Sequence, residues 1–253
     1  MLISVIEENL KTALTILNRR PELNVRVSGL LKAYGLKRHF FRLWVQNEST
    51  LLARLEGSFF LCNSADTDYD EIAFFLRFNP YFQRLFGTAE AVAAVEACLE
   101  SGGKLKKYDF LEFEAADAVM PEREVICNPN LNDVYEVMCK VGFQIGDFMP
   151  WYADVSHRIR HGCARAFLIK VGDKPVSSCL VSAESDTAGL LSGIGTVEDY
   201  RSRGFASDIT RFACKKLTDD KKCPVLECCP AITAFYARLG FRKTAETAEL
   251  IIK

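Results

Sequence analysis

The spacing of apolar residues predicts helices followed by strands in the second half of the chain. Helical periodicity covers Leu131–Val141 and Trp151–Arg160. Strand-like runs follow over Ala166–Val171, Val176–Ala183, Ala188–Val197, Pro224–Cys228 and Leu250–Lys253. The first two strands are joined by Gly172-Asp173-Lys174-Pro175, a sequence typical of a hairpin turn. This order of helices and strands is compatible with a mixed sheet.

A further helix is predicted between the third and fourth of these strands. Apolar residues fall on one face and basic residues on the other: Phe205, Ile209, Phe212 and Leu217 against Arg211, Lys215 and Lys216. A short helix follows Cys229-Pro230 and ends at Gly240, after which a strand begins. The second half therefore alternates helices and strands after its hairpin.

The first half is also predicted to mix helices and strands. Its predicted helices are Leu10–Leu17, Arg26–Tyr34, Asp68–Phe78 and Ala89–Leu99, and its strands are Phe40–Val45, Leu51–Cys62 and Leu105–Phe113. No internal repeat is detectable. The acidic, alanine-rich stretch and Met120-Pro121 favour a boundary near Ala115–Glu122. We therefore expect an N-terminal α/β domain over residues 1–118 and a second domain over residues 119–253.

Composition narrows the class of protein. With 253 residues the chain is long enough for one large or two small domains, and its net charge of −1 gives no global basic field for nucleic acid or anionic membranes. No apolar run approaches the ~20 residues of a membrane-spanning helix, and the start of the chain lacks the layout of a signal peptide. We expect a cytoplasmic protein that binds neither nucleic acid nor membrane.

Ten cysteines are scattered without a Cys-x-x-Cys pattern, and most lie in apolar runs. Buried free thiols are the preferred interpretation over disulfides or zinc. His157 and His161 stand one helical turn apart, but an exposed basic helix face explains them better than chelation. We predict no metal site.

The turn Arg201-Ser202-Arg203-Gly204-Phe205-Ala206 is the most informative stretch of the chain. It joins a predicted strand to a predicted helix, so several backbone N–H groups at the helix start lack partners and attract an anion. Gly204 allows a phosphate to approach the backbone, Ala206 keeps the first helical turn thin, and the arginines add positive charge. The turn predicts a site for a cofactor that carries phosphate, pyrophosphate in particular.

Two motifs together resemble the GNAT superfamily of acyl-CoA-dependent N-acetyltransferases. Arg201, Gly204 and Ala206 match the turn that cradles the CoA pyrophosphate in that family. Ala231, Tyr236, Gly240 and Phe241 match a later segment that places a tyrosine near the CoA sulfur, although Cys229 replaces its customary asparagine. The resemblance covers roughly residues 121–253. It implies an α/β (α+β) fold, with a mixed central sheet of GNAT type in this half beside the N-terminal α/β domain.

The resemblance also implies the activity and its residues. Acetyl-CoA would donate an acetyl group to a primary amine of a small molecule, an amino acid or a peptide. Tyr236 is the expected general acid for the leaving thiolate, and backbone donors near Thr196 and Val197 would stabilise the oxyanion. The expected cofactor-binding residues are Thr196, Val197, Arg201, Ser202, Arg203, Gly204, Phe205, Ala206 and Ser207.

No residue stands out as the general base or as the acceptor site. The weak candidates for the base are Glu184, Asp186, Glu198, Asp199, Glu227 and His157. Phe148, Trp151 and Tyr152 either line an acceptor pocket or pack in the core. The sequence leaves the acceptor, the acyl-chain specificity and the oligomeric state open.

Alternatives stay open at two levels. The N-terminal half is either a degenerate GNAT-like module in tandem with the second or an unrelated α/β domain that covers the substrate cleft. The alternative function is a catalytically silent acyl-CoA-binding regulatory module, a class favoured by Cys229 and by the missing base. A different nucleotide binder is weakened because neither Gly-x-x-x-x-Gly-Lys-Ser/Thr nor Gly-x-Gly-x-x-Gly occurs.

Overall fold

The structure, a computed structural model, describes residues 1–114 and 120–252. By compactness the chain forms two units. The first contains Met1–Phe110, Glu227–Thr233 and the chain from Lys243 onward, and the second contains Leu111–Leu226 and Ala234–Arg242. The predicted boundary near Ala115–Glu122 falls partly on residues 115–119, which lie outside the described residues, so the division into 1–118 and 119–253 stays a prediction.

The first unit begins with strand β1 and two helices, followed by a three-stranded antiparallel meander. Its elements are β1 (Leu2–Ser4), α1 (Leu10–Leu17), α2 (Val25–Tyr34), β2 (Phe41–Gln46), β3 (Thr50–Leu55), β4 (Ser58–Cys62), α3 (Tyr69–Arg77), β5 (Arg84–Thr88), α4 (Ala89–Leu99) and β6 (Lys104–Phe113). Strand β1 pairs antiparallel with β2, and β4 pairs parallel with β5. The sheet of this unit is therefore mixed.

The second unit repeats this order of helices and strands. From residue 126 onward the elements are β7 (Ile126–Cys127), α5 (Leu131–Val141), α6 (Phe148–Arg160), β8 (Arg165–Val171), β9 (Lys174–Glu184), β10 (Ala188–Thr196), α7 (Phe205–Asp219), β11 (Cys223–Cys228), α8 (Thr233–Ala237) and β12 (Phe241–Ile251), the last of which lies mostly in the first unit. Strands β7 to β10 pair antiparallel in succession, and β10 pairs parallel with β11. The predicted mixed sheet of this half is confirmed.

The final strand of the chain is part of the first unit. Residues Thr247–Ile251 of β12 pair antiparallel with Arg84–Thr88 of β5. Ala248 and Leu250 are fully buried in the apolar cluster that α3 and α4 form against β4 and β5. The core of the first unit is therefore completed by residues from the far end of the sequence.

Packing in the second unit follows the predicted apolar faces. Helices α5 and α6 cover β8 and β9 through a cluster that includes Val134, Val137 and Leu168. Helix α7 approaches β10 closely: a Cβ placed on Gly189 would lie only 2.5 Å from the Leu217 side chain. Glycine at this position lets the helix reach the strand.

Several predicted boundaries are wrong. The range Leu51–Cys62 is two strands, because the chain turns at Glu56, whose φ is +52°. Helix α6 begins at Phe148, three residues before the predicted start. The strand predicted to follow Gly240 and the strand predicted from Leu250 are one strand, β12, which begins at Phe241. The end of that predicted strand at Lys253 lies outside the described residues. The strands β1, β5 and β7 were not predicted.

Candidate cofactor site

The site begins where β10 loses its parallel partner. Pairing between β10 and β11 covers Ala188–Leu191 and ends at the pair Leu191–Leu226. Strand β10 continues to Thr196 and remains paired with β9 on its other edge. Among the described residues, no strand is paired with the β11-facing edge of Ser192–Thr196. A stretch of backbone is therefore available on this edge for an extended ligand.

A β-bulge lies in the same part of β10. The register with β9 shifts between Ser192 and Gly195, and Gly193 adopts a left-handed conformation with φ +56°. The Ser178 hydroxyl donates to the Gly193 carbonyl at 3.1 Å. A bulge changes the direction of backbone groups along a strand, and glycine suits the left-handed position.

The backbone amides of Thr196 and Val197 differ in whether they are free to donate a hydrogen bond to a ligand. The Val197 amide donates to the Val176 carbonyl at 2.9 Å. It is therefore not free to stabilise an oxyanion, which corrects that part of the expectation. Because neighbouring residues of an antiparallel strand point their amides to opposite edges, the Thr196 amide faces away from β9. The Thr196 carbonyl accepts from Nε of Arg201 at 3.2 Å, which draws Arg201 to the same edge.

The turn after β10 leaves a set of amides unused. A short 3-10 turn, Glu198–Tyr200, is followed by exposed residues Arg201–Gly204, and α7 begins at Phe205. Ser202 and Gly204 have φ values of +60° and +87°. Within the part of the chain that the structure describes, the backbone amides of residues 202–207 donate to no protein group. This is the arrangement that binds anions at a helix N-terminus.

Arg123 lies against this turn, a position that the sequence did not predict. Its guanidinium pairs with the Asp208 carboxylate and donates from Nη2 to the Arg203 carbonyl at 2.8 Å. Its Cζ lies 4.4 Å from the centre of the Phe205 ring. Arg123 thus neutralises the one acidic side chain in the first turn of α7 and adds positive charge beside the free amides.

The corresponding turn of the first unit is built differently. Helix α3 begins after Asp68, whose carboxylate accepts from the Glu71 amide at 3.0 Å. Asp70 and Glu71 add two more acidic residues to the first helical turn. The Asp68 carboxylate occupies one of the amides that an anion would need, and the acidic residues repel an anion. Of the two turns, the one in the second unit is suited to phosphate.

Tyr236 is buried in α8 among aromatic rings. Its ring meets Phe235 and Phe241 edge to face, with centroid distances of 5.0 and 5.9 Å. Cys229, which stands where the family pattern has asparagine, is exposed and precedes the 3-10 turn Pro230–Ile232 without a side-chain cap. The packing fixes the tyrosine ring, and its role as an acid stays a prediction.

Two candidates for the general base are held in ion pairs. Glu184 is buried and accepts from Nε and Nη2 of Arg165 at 2.7 and 2.8 Å and from Lys222 at 2.7 Å. Glu227 pairs with Arg26 at 2.6 Å. Two cations therefore occupy the Glu184 carboxylate, which indicates a structural role in ion pairing. Glu198 and Asp199 are exposed at the 3-10 turn.

His157 and His161 lie side by side at the end of α6. The rings of His157 and His161 stack at 4.0 Å between centroids, and Nδ1 of His161 lies 2.8 Å from the His157 carbonyl oxygen. Residues 1–114 and 120–252 contain no group of three His, Cys, Asp or Glu side chains arranged to hold a metal ion.

No helix within residues 1–114 and 120–252 has the length and apolar character needed to span a membrane.

Five of the ten thiols are buried, in agreement with the interpretation as small buried hydrophobes, and the other five are partly or fully exposed. Cys62, Cys179 and Cys214 are buried. Burial raises the pKa of the Cys62 thiol to about 12, and it also raises the pKa of Cys179 and Cys214. These thiols stay protonated at neutral pH and are poor nucleophiles.

The aromatic residues proposed for an acceptor pocket form a cluster at the start of α6. Phe148 contacts Tyr135, Trp151 and Tyr152 with centroid distances of 5.1, 6.3 and 5.4 Å. Trp151 packs against the core of α5 and α6, whereas Tyr152 is exposed. Packing therefore accounts for Trp151, and only Tyr152 presents a large exposed surface.

The chain is similar in fold to solved structures of other proteins, at low sequence identity. No protein-family model and no curated protein matches the sequence. A GCN5-related N-acetyltransferase from Kribbella flavida is 16% identical, with a TM-score of 0.63, over 91% of this chain and 95% of that chain. A GCN5-related N-acetyltransferase-like protein from Streptococcus suis is 13% identical, with a TM-score of 0.62, over 98% of this chain and 100% of that chain.

A tandem protein is similar over the full length as well. This tandem GNAT protein from the clavulanic acid biosynthesis pathway is 9% identical, with a TM-score of 0.63, over 99% of this chain and 97% of that chain. At these identities the similarity shows the fold and leaves the reaction open. The predicted fold is confirmed: the chain has the fold of the GNAT superfamily.

Proposed function

We propose that the protein transfers an acetyl group from acetyl-CoA to a primary amine of a small molecule, an amino acid or a peptide. The single observation that carries the proposal is the set of free amides at residues 202–207, next to the unpaired edge of β10. A diphosphate fits such amides, and an extended chain fits such an edge. The GNAT fold supports the same assignment.

Each part of the site has a role in this proposal. The amides of residues 202–207 bind the diphosphate, with Arg201, Arg203 and Arg123 supplying charge. Thr196 offers its backbone to the extended part of the donor. Bound acetyl-CoA would supply an acetyl thioester to a neutral amine. The amine nitrogen forms a bond to the carbonyl carbon as the bond to sulfur breaks, and the amine gives its proton to water.

Tyr236 holds the proton that the leaving sulfur needs. A phenol can donate a proton to a thiolate, and the packing against Phe235 and Phe241 limits the motion of the ring. We further propose that the chain is a tandem of two modules, residues 1–118 and 119–253, of which the second carries the cofactor. The repeated element order and the acidic cap at Asp68 support this division of labour.

The proposed location is the cytoplasm. All ten cysteines lie in the described residues and are free thiols, which suits a reducing compartment. The near-neutral net charge of −1 favours a small acceptor over an acidic polymer.

Calorimetry and product analysis together test the proposal. CoA and acetyl-CoA should bind, and ATP should bind much more weakly. Incubation with acetyl-CoA and a panel of amines should then yield an acetylated amine, followed by mass spectrometry because the protein's own thiols disturb thiol-release assays. Binding without any product would support the silent regulatory module, and absence of binding would remove the cofactor assignment.

A further inference from the structure

A cleft in the first unit lies apart from the turn of residues 201–207 in sequence and chemistry. It encloses about 630 Å³ between protein atoms, including space open to solvent. Its walls come from the segment between α1 and α2, from the ends of β4 and β5, and from Glu227 and Thr247. All of these residues belong to the first unit.

The cleft is rich in arginine. Arg19, Arg20 and Arg26 line it, and Glu227 is its one acidic residue. Arg26 pairs with Glu227 at 2.6 Å, which leaves the positive charges of Arg19 and Arg20 without an acidic partner among the described residues. Arg19 donates from Nη1 to the Ser49 carbonyl at 3.1 Å, which fixes its direction. The surplus of two positive charges favours an anionic ligand.

The floor of the cleft is aromatic. Phe60 and Phe86 stack with centroids 5.2 Å apart and planes 17° apart. The guanidinium carbon of Arg26 lies 5.7 and 5.8 Å from the two ring centres. This contact holds the cation over an apolar surface, so a ligand that pairs with Arg26 also meets the aromatic rings.

Neutral polar side chains also lie in the wall, among them Asn63, Thr88 and Thr247. The Thr88 hydroxyl donates to the Asn63 side-chain oxygen at 3.1 Å. The Thr247 side chain is 4% exposed, and its hydroxyl has no hydrogen-bond partner among the described residues. An unsatisfied buried hydroxyl costs about 1–3 kcal/mol, so its presence in a ligand cleft is consistent with a partner that binds there.

We infer that this cleft is a second binding site, for a small carboxylate with an apolar body. The carboxylate would pair with Arg20 and Arg26, and the apolar part would lie on Phe60 and Phe86. Carboxylates suit arginine because the planar guanidinium matches both oxygens. The inference goes beyond acetyl transfer and does not depend on it.

Titration with a simple probe tests the inference on the full chain. Phenylacetate carries a carboxylate on an aromatic body, and phenylacetamide is its neutral counterpart of nearly the same shape. Phenylacetate should bind, and phenylacetamide should bind at least tenfold more weakly. Equal binding of the two, or no binding of phenylacetate at 20 mM (~2.3 kcal/mol of affinity), would overturn the assignment.

Variants locate the site. Arg20→Gln and Arg26→Gln should each weaken phenylacetate binding at least tenfold, while Arg42→Gln, an exposed arginine of the same unit, should leave it unchanged. Thr247→Val keeps the side-chain volume and should weaken binding at least threefold without lowering the melting temperature. Unchanged affinity in both Arg20→Gln and Thr247→Val, neither of which has an ion pair to lose, would overturn the site.

The same measurements separate this inference from the acetyltransferase proposal. Gly204→Glu should keep its affinity for phenylacetate while losing CoA. Arg20→Gln should keep its affinity for CoA. Loss of phenylacetate binding in folded Gly204→Glu protein would contradict a separate site in the first unit.

Discussion

The position that a Cβ would occupy on Gly204 lies 3.2 Å from Nη1 of Arg123. Because Gly204 has no side chain, the Arg123 guanidinium, which comes from a distant segment, can lie directly above the turn. Any larger residue at 204 must displace this arginine or enter the region in front of the free amides. The two residues together line the entrance to the proposed anion site.

Gly204→Glu should reduce the affinity for CoA by at least 100-fold. The new carboxylate would stand near the amides of residues 202–207 and repel a diphosphate, and the left-handed φ of +87° would add strain of about 1–2 kcal/mol. Calorimetry with CoA measures the loss. Gly172→Glu is the matched control, because Gly172 has φ +58° with nothing within 4 Å. If the Gly204 variant folds and binds CoA normally, the phosphate role of the turn is wrong.

Arg123→Gln should weaken CoA binding about tenfold, equivalent to about 1.4 kcal/mol. The substitution removes a positive charge and leaves Asp208 with Arg211 at 3.7 Å as its remaining ion-pair partner. The salt dependence of the dissociation constant should also become shallower. Arg160→Gln, an exposed arginine of α6, serves as control. Tighter binding in Arg123→Gln would instead mean that the arginine obstructs the amides.

Tyr236→Phe should lower kcat roughly 10²-fold while leaving the dissociation constant of acetyl-CoA little changed. The ring packing on Phe235 and Phe241 is kept, and only the proton donor is lost. Product formation is followed by mass spectrometry. Tyr200→Phe, which retains its contact with the Phe205 ring, is the control. Equal rates in wild type and Tyr236→Phe would assign Tyr236 to packing.

Asp109 should contribute stability that is lost in acid. Hydrogen bonds from Lys243 at 2.8 Å and from Thr233 at 2.5 Å lower the pKa of its buried carboxyl below the ordinary value of 3.8. A lowered folded-state pKa stabilises the protein at pH values above 3.8, and this contribution disappears as the pH falls below that value. Urea unfolding at pH 7 and pH 3 measures it.

The variant for this test is Asp109→Asn. It should lose about 1–3 kcal/mol at pH 7, since Lys243 loses a buried charged partner, and the difference from wild type should shrink at pH 3. Asp173→Asn, in the exposed hairpin turn, should behave as wild type. A deficit of the same size at both pH values would show that ionisation of Asp109 contributes nothing.

Leu250→Ala should destabilise the first unit by about 2–5 kcal/mol. Leu250 is fully buried in the cluster of α3, α4, β4 and β5, although it stands almost at the end of the chain. Hydrogen exchange should show faster opening of β5, its partner strand. Leu105→Ala, at a half-exposed leucine, should cost much less. Unaltered protection of β5 would contradict this role of β12.

The turn between β10 and α7 could be predicted because its signal is local. Gly204 must adopt a left-handed conformation at a helix start, and the neighbouring strand and helix have clear apolar patterns. The same holds for α5 and for the hairpin at Gly172. Short-range spacing was sufficient wherever the chain itself defines the geometry.

Features formed by distant residues could not be predicted in this way. Arg123 lies in a segment without periodicity, and only the folded chain brings it to Phe205 and Asp208. The Val197 amide donates a hydrogen bond to the Val176 carbonyl, and this pairing depends on the register between β9 and β10. Strand β5 is five residues long and contains Gly87, so its pattern is weak. Contacts between segments that are distant in the sequence determine each of these three features.

The place of β12 has a consequence for how the protein is made. The sheet of the first unit cannot be completed until β12 has been synthesised, because Ala248 and Leu250 follow their partner strand β5 only after the whole second unit. Until β12 has emerged, the apolar surface that Ala248 and Leu250 cover in the first unit stays exposed. A chain cut between its two halves would yield a first fragment that lacks its closing strand and is prone to aggregate.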